Sequence, residues 1–233
     1  MSSSPLLDPS VFAELERELE AETAAREALA QLVARLERAV AAAQGVLARV
    51  HSTPRSAYAE LVARVEAAVA DEVVLVKQLA ETASQHPYYK YNGRWTRTMQ
   101  AAIGTVLLGA WLGGFGAGEI GRVLTLDEVG AILAAPTNLK DRDAFHLTIE
   151  EYLLALADLA SDLARLAANA VTLADYALPP LVAAFARDLL AGFQLLHLRN
   201  DALRRRADAV KYDVKRAEDV VYDLSLRGLL PGP

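Results

Sequence analysis

The stretch from Gly192 to Gly228 reads GFQLLHLRNDALRRRADAVKYDVKRAEDVVYDLSLRG, with no Gly or Pro inside it to stop a helix. Apolar residues recur four and three apart, at Phe193, Leu196, Leu203, Ala207, Val210, Val214, Ala217, Val221 and Leu224. Asn200 is the polar residue in that row. The spacing is that of a coiled-coil-like stripe. The other faces carry Arg204, Arg205, Arg206, Lys211, Lys215 and Arg216. Two readings fit. The stripe is an assembly surface between copies, with Leu189, Phe193, Leu196, Leu203 and Val210 at the interface, or it is a core helix of a monomeric bundle.

The rest of the chain agrees with an all-helical fold. Of its 233 residues, 53% are hydrophobic and only 6% aromatic, and Ala and Leu dominate. That length supplies ample core for one large domain or two small ones. Cys is absent, which excludes a disulfide frame and a thiolate metal site and fits an intracellular setting. The opening MSSSPLLDPS has neither a basic segment nor a true apolar run, so no secretory signal is expected. A net charge of −6 argues against nucleic-acid binding driven by total charge. A local basic patch still sets its own field.

In chain order, residues 1–9 read as a flexible start, 10–228 as a single helical domain and 229–233 as a tail. Ser10 caps a first helix running to about Val50, and Pro54 opens a second, about Arg55 to Ser84. Residues 101–118, AAIGTVLLGAWLGGFGAG, carry no charge and contain GxxxG spacings. Six of these eighteen residues are Gly, so a buried central helix ending in a glycine turn is expected rather than a membrane span. Gly116-x-Gly118-x-x-Gly121 matches a dinucleotide fingerprint but follows no strand. Further helices are expected over Leu126–Ala134 with Thr125 as cap, over Phe145–Asp175, and from Pro179-Pro180 onward. The last either continues into the opening stretch or bends at Asn200-Asp201.

Two clusters carry candidate chemistry. Tyr88-Tyr89-Lys90-Tyr91-Asn92-Gly93-Arg94-Trp95-Thr96-Arg97 mixes aromatic and basic groups most densely. Aromatic faces stack on unpaired bases and cations pair with phosphates, so it reads as a single-strand contact. Equally, Tyr88, Tyr89 and Trp95 can anchor a helix–helix turn. Glu151, Asp158 and Asp162 fall seven and four apart on one helix face. They read as a Mg²⁺ or Mn²⁺ site for phosphodiester cleavage, or as a solvated face. The four His show no HxxxH pair.

These residues resemble a known family. Lys211-Tyr212-Asp213-Val214-Lys215-Arg216, Glu218, Val220 to Ser225 and Arg227-Gly228 are similar to the C-terminal signature of the translin family. So are Gly192-Phe193, Leu195-Leu196, Leu198 and Asn200-Asp201, and upstream Phe145-His146-Leu147, Glu151-Tyr152-Leu153, Asn169, Val171-Thr172, Asp175-Tyr176 and Pro179. The likeness runs from about Val11 to Gly228 and is densest over the last ninety or so residues.

The resemblance implies a seven-helix bundle whose long C-terminal helices build a hollow octamer. It implies binding of single-stranded RNA and DNA, and no membrane. It implies a partner, translin-associated factor X, with which the family forms a Mg²⁺-dependent endoribonuclease acting on passenger strands and pre-tRNA fragments in cytoplasm and nucleus. Carried over, the nucleic-acid contacts fall on Lys90, Asn92 and Arg94, with Arg97 nearby. Arg55 and Arg64 stand for a thinned second basic region. The catalytic positions fall on Ala101 and Gly104, which cannot ligate a metal, and on the acidic pair Asp158 and Asp162. This implies a non-catalytic subunit that takes no cofactor, Mg²⁺ entering only if the carboxylate cluster is active.

Overall fold

The structure, a computed structural model, describes residues 9–199 and 201–230. Residues 1–8 of the expected flexible start, Asn200 and the last three residues of the tail lie outside these; Pro9, the last residue of that expected start, opens the first helix.

Among the described residues all the regular structure is helical. The long helices are α1 (Pro9–Leu47), α2 (Tyr58–Ala83), α4 (Thr96–Trp111), α6 (Ile149–Thr172), α7 (Leu178–Leu195) and α8 (Asp201–Leu226). Between them lie the single turn α3 (Tyr88–Tyr91) and the short α5 (Leu126–Leu133). Helices α1 and α2 form a hairpin joined by two 3₁₀ turns, Ala48–Ser52 and Arg55–Ala57. Helices α6, α7 and α8 pack on one another, and α4 lies between the two groups.

The charge-free run supplies most of α4, and within that helix its residues are covered except Ala101 and Gly104, which stand half-buried. Ala102, Ile103, Val106, Leu107, Ala110 and Trp111 are all fully buried. Its glycines serve packing within the chain. A Cβ on Gly114 would stand 2.3 Å from Val62 Cγ1, and one on Gly109 would stand 2.7 Å from the Phe115 ring. The backbone then turns through positive φ at Gly113, Phe115, Gly116 and Gly118, so the GxGxxG match sits in an irregular loop. Among the described residues no helix is long and apolar enough to cross a membrane.

One expected boundary moves, and one open choice is resolved. Helix α6 begins at Ile149, not Phe145, because the chain before it is held extended. Leu147 donates to the Pro136 carbonyl and accepts from Asn138 N, each at 2.8 Å. Thr148 then caps the helix. Of the two readings of the opening stretch, the bend ahead of Asp201 holds. The chain leaves α7 at Leu196 (ψ 129°) and re-enters helix at Asp201. The break lets α8 fold back against both α6 and α7.

That return takes much of the stripe into the chain's own core. Phe193, Leu203 and Val210 are at most 5% exposed and pack within this chain's own core. Ala207, Val214, Ala217 and Leu224 are buried beside them. Of the expected interface residues, only Leu196, which is exposed, and half-buried Leu189 remain accessible.

Candidate nucleic-acid interface

The turn from α2 to α4 divides its aromatics between core and solvent. Pro87 ends the α2 exit and starts the turn α3. Tyr88 and Trp95 are then almost fully buried and Tyr91 nearly so. The Tyr88 ring stacks on His146 at 4.4 Å and meets Trp95 edge-on at 5.9 Å. Trp95 in turn packs on Phe145 at 5.6 Å. Burial pushes the Tyr88 hydroxyl up to about 12. These two aromatics anchor the turn and cannot stack on a base. Tyr89 is the opposite case. It is 80% exposed, and its ring stands edge-on to Tyr88 at 5.2 Å. An exposed aromatic on a rigid base is what unpaired-base stacking requires.

The turn's cations are also unequal. Lys90 pairs with Glu22 of α1, whose carboxyl is held below its ordinary range by that bond first. A phosphate reaching Lys90 has to compete with Glu22. Arg94 and Arg97 are exposed and form no ion pair among the described residues, and Asn92 is half-buried. Arg55 lies apart from this group. Its Nε and Nη2 donate to Asp175 Oδ2 and Oδ1 at 2.8 and 2.7 Å, a bidentate clamp joining the start of α2 to the α6–α7 turn. Nε and Nη2 of Arg55, a residue expected to contact nucleic acid, are thus committed within the chain.

Two cavities border the turn. Tyr89 lines one of about 620 Å³ together with Lys140, Arg142, Asp141, Asp143 and His146. Asp143 Oδ1 accepts from Tyr88 N at 2.9 Å, which ties the 137–143 loop to the turn. In the sequence Lys140 and Arg142 are simply charged residues between Pro136 and Phe145. No periodicity places that loop beside Tyr89.

Arg97 lines the other cavity, a cleft of about 820 Å³ walled by the end of α1, α4, α6 and α8. Ala101 and Gly104 from α4, Asp158 and Asp162 from α6, and Arg97, Arg165 and Arg206 all open onto it. A Cβ at Gly104 would meet nothing within 4 Å, so that wall is bare. His51 at one edge has its pKa lowered by burial and by Arg165, which keeps it neutral near pH 7. Asn169 lies 3.2 Å from its Nδ1.

The three candidate carboxylates do not form one site. Glu151 is buried and closes the N-terminus of α6. Its Oε2 accepts from Thr148 N and Oγ1, each at 2.9 Å, and Thr148 Oγ1 accepts from Glu151 N at 3.1 Å. This is a capping box, and it commits Oε2 of the carboxylate. Asp158 Oδ1 accepts from Arg206 Nε at 2.7 Å and Oδ2 from Gln100 Nε2 at 2.7 Å. Burial and then Asp158 push Asp162 up. Asp213 of α8 is raised by burial and lies near enough to act on Asp162. An acid-poor wall, a capping glutamate and an aspartate bound by guanidinium do not fit a Mg²⁺ cage of carboxylates. Among the described residues no group of three or more His, Asp or Glu is arranged to hold a metal. The Glu151–Asp158–Asp162 site is thus corrected to a helix cap and a polar seam.

Comparison with known proteins agrees with this architecture. The solved structure described as apo-NeC3PO shares the fold, with a TM-score of 0.68 over 94% of this chain and 98% of that one, at 12% identity. Chicken (Gallus gallus) Translin is 43% identical over 143 residues, covering 61% of this chain and 58% of that protein. Human (Homo sapiens) Translin is 40% identical over 142 residues, with 60% and 58% covered. The matched region therefore spans a little under three fifths of these curated relatives. The Translin family profile matches residues 24–228, most of the chain. On that match, and with the sequence signature seated on this helical frame, the chain belongs to the translin family.

Proposed function

We propose that the chain is a single-stranded RNA- and DNA-binding scaffold that assembles with copies of itself into a hollow octamer. In this reading it is the RNA-binding subunit of a Mg²⁺-dependent endoribonuclease in cytoplasm and nucleus. A translin-associated factor X partner brings the catalytic carboxylates, and small RNAs such as passenger strands and pre-tRNA fragments are the substrates.

The observation that carries the reading is the composition of the 820 Å³ cleft. Three arginines face two aspartates there, one aspartate is already held by Arg206, and the α4 wall offers no carboxylate. Such a cleft attracts phosphate and supplies no carboxylate cage to polarise it. Exposed Tyr89 beside Lys140 and Arg142 adds a stacking platform with cations around it. Enclosure in a shell would concentrate these groups in spite of the net acidic chain.

Replacing Arg94 and Arg97 by Ala tests it. Binding of a short single-stranded RNA should weaken, and the dependence of log affinity on log salt should flatten by about 0.7 per lost phosphate contact. Unchanged affinity and slope would remove the turn from the ligand path.

A further inference from the structure

Helix α1 is longer than the partner that covers it. Its core face, Leu29, Leu36, Val40 and Ala43, is buried against α2 and α4. Toward the N-terminus that cover stops. The Glu22–Lys90 pair ties α1 to the α2–α4 turn, and every residue from Ser10 to Ala21 is exposed. At 1.5 Å per residue this arm projects about 20 Å.

The arm is not built for water alone. Val11, Phe12, Leu15 and Leu19 are all exposed, Phe12 and Leu19 by more than 60%. At 100° per residue they fall on one side of the helix, close to the line of the buried core face. Glu16 and Glu18 border the stripe on its two sides. Between Ser10 and Ala21 four glutamates face one arginine, so the arm is apolar on one side and acidic around it.

The complementary surface lies at the other end of the same chain. Where α7 gives way to α8, a groove of about 370 Å³ opens between Leu190, Phe193, Leu196 and Leu198 on one side and α8 on the other. Its rim carries His197, Arg204 and Lys211, with Asp208 the acid among the lining residues. Arg204 reaches Asp208 only at 4.0 Å, and Lys211 rests over the Tyr212 ring at 5.0 Å.

We infer that the α1 arm of one copy docks, apolar face down, into the α7–α8 groove of a second copy of this chain, its glutamates against Arg204 and Lys211. An amphipathic helix laid in an apolar groove, anchored at spacings of three, four and seven, is a recurrent mode of recognition. The occupant is a second copy for two reasons. The acidic arm and basic-rimmed groove are matched in charge and apolar content. And the arm extends from the α1–α2 hairpin, whereas the groove lies on the α7–α8 pair, which α1 does not pack against. An arm on one patch and a groove on another make the contact heterologous, so it propagates around a ring or is exchanged reciprocally in a dimer. This rests on the self-assembly contained in the proposed function and names the surface that drives it.

The test uses the full chain and its mass in solution. Glu16→Arg with Glu18→Arg should raise the concentration for half-assembly tenfold or more, and so should Arg204→Glu with Lys211→Glu. Combining all four changes restores the charge match and should restore assembly. All four sites are exposed, and helical circular dichroism checks that each variant is folded. Because the natural chain has no Cys, a Phe12→Cys variant mixed with a Leu196→Cys variant should give a disulfide-linked pair on mild oxidation, well above either alone. Wild-type-like assembly in both charge variants, with no 12–196 crosslink, would overturn the docking while leaving the scaffold reading in place. A wild-type chain that stays monomeric at all concentrations would instead overturn the self-assembly on which both rest.

Discussion

Arg206 on α8 donates from Nε to Oδ1 of Asp158 on α6 at 2.7 Å, and its Nη2 reaches the same oxygen. A guanidinium thus stands on the carboxylate that a metal-dependent reading of this cleft would need. Both side chains are more than a third exposed, so the pair itself adds at most about 1 kcal/mol to stability. Its larger effect is on the charge of the cleft. Asp158→Asn removes an anion and frees part of Arg206, so single-strand RNA affinity should rise severalfold at low salt. Anisotropy titration in chelator reads it. Loss of an Mg²⁺-dependent cleavage in the same variant would support the enzymatic reading instead.

Tyr88 and Tyr89 are neighbours with opposite fates. Tyr89→Ala should cost roughly 1–3 kcal/mol of RNA binding, about 5- to 150-fold, with the thermal midpoint unchanged. Tyr88→Ala opens a cavity in the core beside Trp95 and His146 and should destabilise the fold by about 3–5 kcal/mol. Denaturant melts and binding curves on both variants separate the two roles.

Arg55 is expected to matter for stability and not for ligand. Its clamp on Asp175 is partly shielded, and Arg55→Ala should cost on the order of 1 kcal/mol. RNA affinity should stay within twofold of wild type. A clear loss of affinity would return Arg55 to the interface.

Glu72 on α2 is fully buried, neither carboxylate oxygen has a hydrogen-bond partner, and burial pushes it up to about 8. A carboxyl raised in the folded state binds its proton more tightly there than when unfolded. Its contribution is therefore complete below about pH 4.5 and is lost as pH rises through about 8. Glu72→Gln keeps the shape and cannot ionise. Relative to wild type it should gain stability with rising pH, reaching a few kcal/mol near pH 8. Urea melts from pH 5 to 9 would show the two chains diverging; parallel curves would mean that Glu72 finds solvent when it ionises.

The fold was largely legible because its signals are local and periodic. The stripe of α8 is there in the spacing of Leu203, Val210 and Leu224, and Thr125 caps α5 as its position before an apolar run indicates. The break after Leu196 was legible only as one of two choices, since Asn200-Asp201 can cap a new helix but no Gly or Pro marks the end of α7. It exists because α8 packs back on its neighbours. Thr148-x-x-Glu151 carries the capping-box spacing, which was the signal that Glu151 ends a helix rather than binds a metal. The engagement of Asp158 was not legible. Arg206 lies 48 residues away, and only the crossing of α6 and α8 joins them.

The central claim is that this chain binds single strands and does not cut them unaided. The direct measurement is an anisotropy titration of the purified chain against a short labelled single-stranded RNA in low salt with Mg²⁺ chelated, repeated after Mg²⁺ is added. Saturable binding that weakens steeply with salt, with the RNA intact in Mg²⁺, is the predicted result. No binding well into the micromolar range, or cleavage by the homogeneous chain on adding Mg²⁺, would contradict it.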